Sequence, residues 1–390
     1  MVVASGLDVL AADGFRRLAG RRVAVLCHAA SVDARLRHLL ELLRQAAIDV
    51  RLLLGPEHGL AGAAQDMRPV ASGRWGSVPV LSLYGAQPQQ LRPPPGAFAE
   101  VDTLLVDLQD VGSRYYTYAA TMRYCLEACA GSAVEVVVLD RPNPLGGALV
   151  EGPLLPDELR SFVGAWAVPV RHGLTLGELT RAVLDEGIDV SVEVIPMQGW
   201  RRDMWFHQTG LPWVLPSPNM PTVDTAIVYP GACLVEATNL SEGRGTTRPF
   251  EILGAPWLDG QRLAGLLAGR VPGVSWRPLV FQPAFHKHAG STCGGVQIHV
   301  VDREAFRPFA CGLAFLWAAR QLEPRRFAWR EEPYEFVSDR PALDLLTGWP
   351  QLRQAIDDGR DPLQLQEDWT GELERYRQRR LAWLLYPEAA

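Results

Sequence analysis

Lysine is all but absent: Lys287 is the only one in 390 residues, so the basic side chains are nearly all arginine. GC-rich codon usage accounts for that bias. Its chemical consequence is narrow, because an imine mechanism would have only Lys287 or the terminal amine to use. Long apolar runs are also missing, and none approaches the roughly 20 residues that span a bilayer. The six cysteines (Cys27, Cys125, Cys129, Cys233, Cys293 and Cys311) form neither a CxxC pair nor a zinc-ribbon spacing. They read as small core hydrophobes, which fits a reducing compartment. No GxGxxG follows the first strand-like segment, and no GxxxxGK[ST], GxSxG or HExxH occurs. The usual dinucleotide fingerprint, the P-loop, the α/β-hydrolase elbow and the zincin helix are thereby excluded. The opening MVVASGLDVLAADGF has neither a basic region nor a long apolar stretch, so the chain as written is expected to be cytoplasmic, with no membrane insertion.

What is present is an ordinary globular balance, 48% hydrophobic and 21% charged. A length of 390 residues calls for two domains. The formal charge of −6 does not attract phosphate backbones, so no nucleic-acid partner is expected. Strand-like runs at 22–27, 49–54, 102–107 and 134–139 alternate with helical stretches, including Leu36, Leu39, Leu40 and Leu43 on one face and a helix over about 117–130. This alternation predicts an α/β fold: a Rossmann-like parallel sheet with helices on both faces. Thr175 and Glu178 form a capping box that opens another helix, and 190–195 reads as a strand. Four prolines between Pro212 and Pro221 interrupt regular structure, which places a boundary near residue 224. The expected domains are 1–224 and a smaller α/β domain, 225–390. The second has strands near 226–235, 274–281 and 295–301 and helices near 260–269, 307–321 and 364–382.

In open parallel sheets, ligands bind beyond the carboxyl ends of the strands. Here those ends carry Cys27-His28, then GPEHG with Glu57 and His58, then VDLQDVGSRYYTY with Asp107, Asp110, Arg114, Tyr116 and Tyr118, then LDRPNPLGG with Asp140, Arg141 and Asn143. Two further polar loops hold Arg171 with His172, and Glu236 through Glu251. Each residue alone has a structural explanation; their convergence is the signal. A pocket of carboxylates, amides, arginines and aromatics suits a sugar, and glycosidases need a protonated carboxyl plus a second group at the anomeric centre. A metal site from His58, Asp107 and His172 is conceivable, but the spacing is not specific, and neither metal nor cofactor is expected.

Seven ordered blocks carry a family resemblance: LLGPEHGLAG (53–62), VDLQDVGSRYYTYAATM (106–122), VLDRPNPLGG (138–147), SFVGAWAVPVRHGLTLGEL (161–179), LPWVLPSPNMPT (211–222), YPGACLVEATNLSEGRGTTRPFE (229–251) and the segment 293–302. With RRLAWLLYPE (379–388), they span nearly the whole chain, which resembles the NamZ-type exo-β-N-acetylmuramidases. The resemblance implies a Rossmann-like N-terminal domain, a smaller C-terminal domain and an active site in the cleft between them. It implies hydrolysis of terminal β-1,4-linked N-acetylmuramic acid from peptidoglycan fragments without a nucleotide cofactor. Many relatives are exported, which the opening residues here do not suggest. His28 stands where the family pattern has an asparagine, which puts substrate selectivity at that position in question.

Within that reading Glu57 is the expected catalytic acid. Asp110 is the candidate second group, with Glu236 and Glu242 competing for the role, and the substrate N-acetyl group is a further alternative. His58 orients Glu57 or binds a hydroxyl, and Tyr118 is a nucleophile, a stacking platform or, ahead of the nucleophile, a core residue. Arg114, Arg141 and Arg244 are candidates for the lactyl carboxylate, because a guanidinium grips a carboxylate bidentately. His28, Asp140, Asn143, His172, Asn219 and Asn239 complete the expected substrate-binding set. Trp200, Trp205 and Trp213 offer a sugar platform or packing between the domains. A non-catalytic muropeptide-binding protein and a metal-dependent hydrolase of another bond are the rival readings.

Overall fold

The structure, a computed structural model, describes residues 2–388. The apolar runs read from the sequence become strands β1 (Arg22–Cys27) and β2 (Asp49–Gly55). The chain continues through β3 (Gly73–Trp75), β4 (Val78–Ser82), β5 (Thr103–Asp107) and β6 (Glu135–Leu139). Next come β7 (Glu151–Leu154) and β8 (Pro169–Arg171), which pair with each other, and then β9 (Val192–Ile195). Among the described residues seven strands form the main sheet, in the order β3-β4-β2-β1-β5-β6-β9. All its pairings are parallel except β3 with β4.

Alternate residues of these strands feed two cores. Val23, Val25, Leu53, Leu105 and Val137 face α1 (Gly6–Ala12) and α2 (Leu39–Gln45), meeting Leu7, Leu10, Leu39 and Leu43. Ala24, Leu26, Leu54, Val106 and Val138 join the core that holds Met122 and Leu126 of α3 (Tyr118–Cys129) and Leu179 and Val183 of α4 (Leu176–Leu184). Burial on both faces is why the strands read as continuous rather than alternating apolar runs. The capping box at Thr175 and Glu178 is present. Strand order reverses at the β1–β5 junction, since β2 and β4 extend one way and β6 and β9 the other. Such a reversal opens a crevice at the carboxyl ends of the strands.

The remaining half begins with α5 (Val223–Ala232) and has α6 (Gly260–Leu267), α7 (Pro308–Leu322), α8 (Ala342–Thr347), α9 (Gln351–Asp357) and α10 (Glu367–Arg380). Strands β10 (Ile252–Ala255), β11 (Val274–Phe281) and β12 (Cys293–Val300) form an antiparallel sheet in the order β10-β12-β11. The strand expected near 226–235 is instead α5 followed by a 3₁₀ turn. Thr222 caps α5 by accepting from the Thr225 backbone N–H. Ala226, Ile227 and Val228 are all buried, so the segment shows no helical stripe, and a short apolar run cannot be told from a strand by periodicity. α5 packs on α7 with Gly231 against Gly312, where a Cβ on either would run into the other helix's backbone. The helix expected from the Leu36 region starts only at Leu39. Asp33 accepts from the backbone N–H groups of Arg35 and Arg37, winding a turn that leaves Leu36 left-handed and exposed. The larger core runs from the main sheet through α3 and α4 into α5 and α7, so the two halves share one interior.

Candidate active site

Glu57 leaves the sheet at the end of β2. A Cβ on Gly55 would lie 2.9 Å from the Leu60 backbone nitrogen, and His58 and Gly59 both take positive φ, 66° and 79°. Glycine at these close approaches lets the chain fold back at once, lifting the Glu57 side chain over the strand ends. Glu57 is only 4% exposed. Its Oε2 accepts from the Thr117 hydroxyl at 2.7 Å, just ahead of α3, while Oε1 is buried without a partner. A buried carboxylate oxygen with no donor is costly in a scaffold and natural where a substrate completes the set.

The same loop delivers Asp66. Arg244, from the other half of the chain, reaches Asp66 at 3.1 Å, Glu236 at 2.6 Å and Glu242 at 3.4 Å. The Tyr334 hydroxyl donates to the other Glu236 oxygen at 2.6 Å. Next to it, Glu335 accepts from the Tyr84 hydroxyl at 2.9 Å. One carboxylate oxygen from each of Glu57, Asp66 and Glu335 lies within 4.8 Å of the others. These residues, with His58, Asn219 and the rings of Tyr115, Tyr116 and Tyr229, line a narrow cleft of about 30 Å³.

Charge in this cleft is out of balance. Burial pushes the Asp66 carboxyl up to about 7 despite Arg244, with Glu236 and Glu57 adding to the rise. Burial, then Glu57 and Asp66, holds Glu335 well above the usual carboxylate range. Burial would raise Glu242 too, but Lys287, His286 and Arg244 hold it below that range. The Lys287 ammonium and the His286 ring each sit 3.0 Å from Glu242. His58 is pushed down by burial, and its Nδ1 lies 2.8 Å from the Ala64 carbonyl. That carbonyl can only accept, so the proton is on Nδ1 and Nε2 is left as an acceptor. Glu57, Asp66 and Glu335 are also the grouping, among the described residues, with the spacing to hold a cation.

Of the residues expected from sequence, the cleft lining gathers Glu57, His58, Asn219, Glu236 and Arg244, with Glu242 behind Arg244. The others are engaged elsewhere. His28 is fully buried at the strand-order reversal; its Nδ1 lies 3.2 Å from the Pro216 carbonyl and its Nε2 accepts from the Gln109 N–H. Burial, with Arg141 nearby, takes it down to about 3, so the ring is neutral. Tyr118 donates to the same Pro216 carbonyl. Arg114 donates to the carbonyls of Pro153, Val168 and Leu346, and burial lowers it to about 9. Arg141 grips Asp107 at 2.5 and 2.8 Å. Asp140 accepts from Thr175, the Gly177 N–H and Tyr386, anchoring the start of α4. Asn143 and Asn239 brace loops through backbone hydrogen bonds. Asp110 accepts from the Gly112 N–H at 2.6 Å and lies 3.6 Å from His172, with its Oδ1 buried and unpartnered. The three tryptophans pack: Trp200 on Tyr386, Trp213 on Phe206, and Trp205 under Arg171 with its N–H donated to Glu304.

Sequence reasoning missed Asp66, Tyr334 and Glu335. Asp66 was within reach, since it lies in the loop that Glu57 opens. Glu335 carried no signal. It sits with Phe336 at the centre of a two-residue turn closed by reciprocal Tyr334–Val337 backbone hydrogen bonds at 2.9 Å. Both residues have positive φ, 46° and 68°. This is type I′ geometry, usually marked by Asn and Gly, and here it is built from Glu and Phe.

The model of the exo-β-N-acetylmuramidase NamZ N-terminal domain matches residues 23–224, and that of the C-terminal domain matches 227–386. The peptidoglycan β-N-acetylmuramidase NamZ of Bacillus subtilis is 40% identical, over 98% of this chain and 91% of its own length. A crystal structure of a DUF1343 family protein from Bacteroides fragilis superposes with a TM-score of 0.88 at 30% identity, covering 99% of both chains. A second protein of that description from the same organism gives 0.77 at 28% identity over the whole of both. The chain belongs to the NamZ exo-β-N-acetylmuramidase family.

Proposed function

We propose that this chain is a glycosidase that releases N-acetylmuramic acid from the non-reducing end of peptidoglycan fragments. The observation that carries the reading within the site is the buried Glu57 carboxyl at the cleft wall, held by Thr117 at one oxygen and without a partner at the other. A terminal sugar in the cleft places its glycosidic oxygen against the Glu57 carboxyl. Protonation there lets the leaving sugar depart, and water completes hydrolysis at the anomeric carbon. Arg244 is the guanidinium of the cleft wall and the candidate reader of the lactyl carboxylate. Asp66 competes for it less once protonated, which its rise to about 7 favours near neutral pH. The tyrosines of the lining supply faces for the sugar ring.

The test is turnover of a chromogenic β-N-acetylmuraminide and of the MurNAc-GlcNAc disaccharide, beside the matching N-acetylglucosaminide, by wild type and Glu57→Gln. Muraminide-selective cleavage that collapses in the variant supports both the reaction and its acid. Tight binding without turnover would favour a muropeptide-binding protein, and loss of activity in EDTA a metal-dependent hydrolase. We place the protein in the cytoplasm. Its six cysteines are all free and buried, as a reducing compartment permits. Among the described residues no helix is long and apolar enough to cross a membrane. Cell fractionation followed by immunoblotting tests that placement.

A further inference from the structure

The Glu335 turn is a strained way to place a carboxyl. A glutamate and a phenylalanine both in left-handed conformation are strained, and such strain persists where the surroundings over-determine it. The surroundings here are specific. Tyr84 donates its hydroxyl to Glu335 and packs its ring 5.6 Å from Phe336, so one residue of the N-terminal half fixes both residues of the turn. The turn carries Tyr334 on one side, clamped to Glu236, and Glu335 on the other, 4% exposed and facing Glu57 and Asp66. The charged and titratable groups around Glu335 are Glu57, Asp66, Glu236, Tyr84, Tyr334 and, across the cleft, Arg244 with His58. Arg244 hydrogen-bonds Glu236 and pairs with Asp66, and among the described residues no ion pair reaches the Glu335 carboxylate.

We propose that Glu335 is the partner carboxyl of Glu57: brought from opposite halves of the chain, the two carry one proton between them, and that proton goes to the leaving oxygen. This deepens the glycosidase reading and rests on it. Their carboxylate oxygens lie within 4.8 Å of each other in a buried cleft, where two like charges are costly, and Glu335 is the one that burial and Glu57 hold above the usual carboxylate range. In the reaction the pair's proton passes to the glycosidic oxygen. The bond from the anomeric carbon to that oxygen breaks, and its electron pair stays with the leaving sugar. Water adds its hydroxyl to the anomeric carbon and returns its remaining proton to the pair. Glu335 thus acts through Glu57 as a positioning residue, holding the shared proton within reach of the leaving oxygen. Raised Asp66 and Glu335 carboxyls are what such a cluster produces.

The test is the pH dependence of kcat and KM on MurNAc-GlcNAc for wild type, Glu335→Gln and Glu335→Asp. Removing a like-charged neighbour lowers the upper titration of the remaining acid, so the alkaline limb of Glu335→Gln moves down by about one pH unit or more. The variant then falls at least about tenfold further behind wild type at pH 8 than at pH 5.5, with KM little changed. Glu335→Asp restores part of the limb. A uniform loss at every pH, or a limb that stays in place, overturns the proposal and leaves Glu335 a structural residue. If the wild type itself fails to turn over, the glycosidase reading falls and this inference with it. Should both variants misfold, the wild type answers directly. With ¹³C-labelled glutamate and Glu151→Gln, which removes the other glutamate that burial raises to about 7, one side-chain carboxyl stays in its protonated chemical-shift range at pH 7, and titration of every glutamate below about pH 5 defeats the idea.

Discussion

Two arginine–carboxylate clusters lie at the carboxyl ends of the main sheet, and they are built on opposite principles. In the first, Arg141 meets Asp107 one to one at 2.5 and 2.8 Å and spends a further N–H on the Val32 carbonyl. In the second, Arg244 faces Asp66, Glu236 and Glu242, the last also held by Lys287 and His286, with Glu57 and Glu335 close by and carboxyls still in excess. Both clusters are buried, so burial does not separate scaffold from chemistry. Stoichiometry does: a matched pair closes on itself, whereas a surplus of carboxyls stores protons and leaves oxygens free.

Each cluster can be broken at its own weak point. The largest effect is expected from Glu57→Gln, which should cost about 10²–10⁴-fold in kcat on the natural disaccharide with an unchanged melting temperature. Steady-state assays beside thermal melts check that split. Arg141→Met should do the reverse. It strands Asp107 in the core and destabilises by about 3–5 kcal/mol in urea unfolding, while refolded protein keeps its substrate preference. Arg244→Lys keeps the charge but loses the fork, so KM for the muraminide should rise about tenfold with kcat less affected. Equal affinity of the variant and wild type for N-acetylmuramic acid by calorimetry would count against Arg244 as the lactyl reader.

Asp66→Asn sharpens the contrast through pH. The Asp66 carboxyl lies at about 7 when folded, above its ordinary value near 4, so ionisation penalises the folded state as pH climbs between those limits. The variant should therefore gain on wild type by on the order of 2 kcal/mol from about pH 4 to pH 8, read as a crossing pair of stability curves. The smallest effect is expected at Asn239→Ala, which removes two loop-bracing hydrogen bonds for about 1 kcal/mol of stability and leaves kcat untouched.

The main sheet was legible because both-face burial writes itself as unbroken Val and Leu runs bounded by polar loops. The segment now in α5 was misread for the same reason, since a fully buried helix carries no stripe. Glu57 was found because a glycine-flanked carboxylate at a strand end has a local signature, and the blocks around it gave the family. Arg114, Arg141 and Asn143 share that neighbourhood in sequence, yet each is spent on backbone carbonyls, on Asp107 or on its own loop. Sequence shows which residues arrive at an edge, not which hydrogen bonds they have already made. Glu335 lies at the far limit, placed by a turn whose residues are the wrong type for it and by Tyr84, 251 positions away.

The solitary lysine gives the molecule an unusual handle. Lys287 is partly exposed, ties its ammonium to Glu242 and reaches the Val235 carbonyl, directly behind the arginine of the cleft. Reagents that label amines therefore meet one side-chain target in the whole sequence, where a typical protein offers dozens. A single mass increment beyond the terminal amine, followed against residual activity, turns ordinary bioconjugation into a site-resolved probe of the wall behind Arg244.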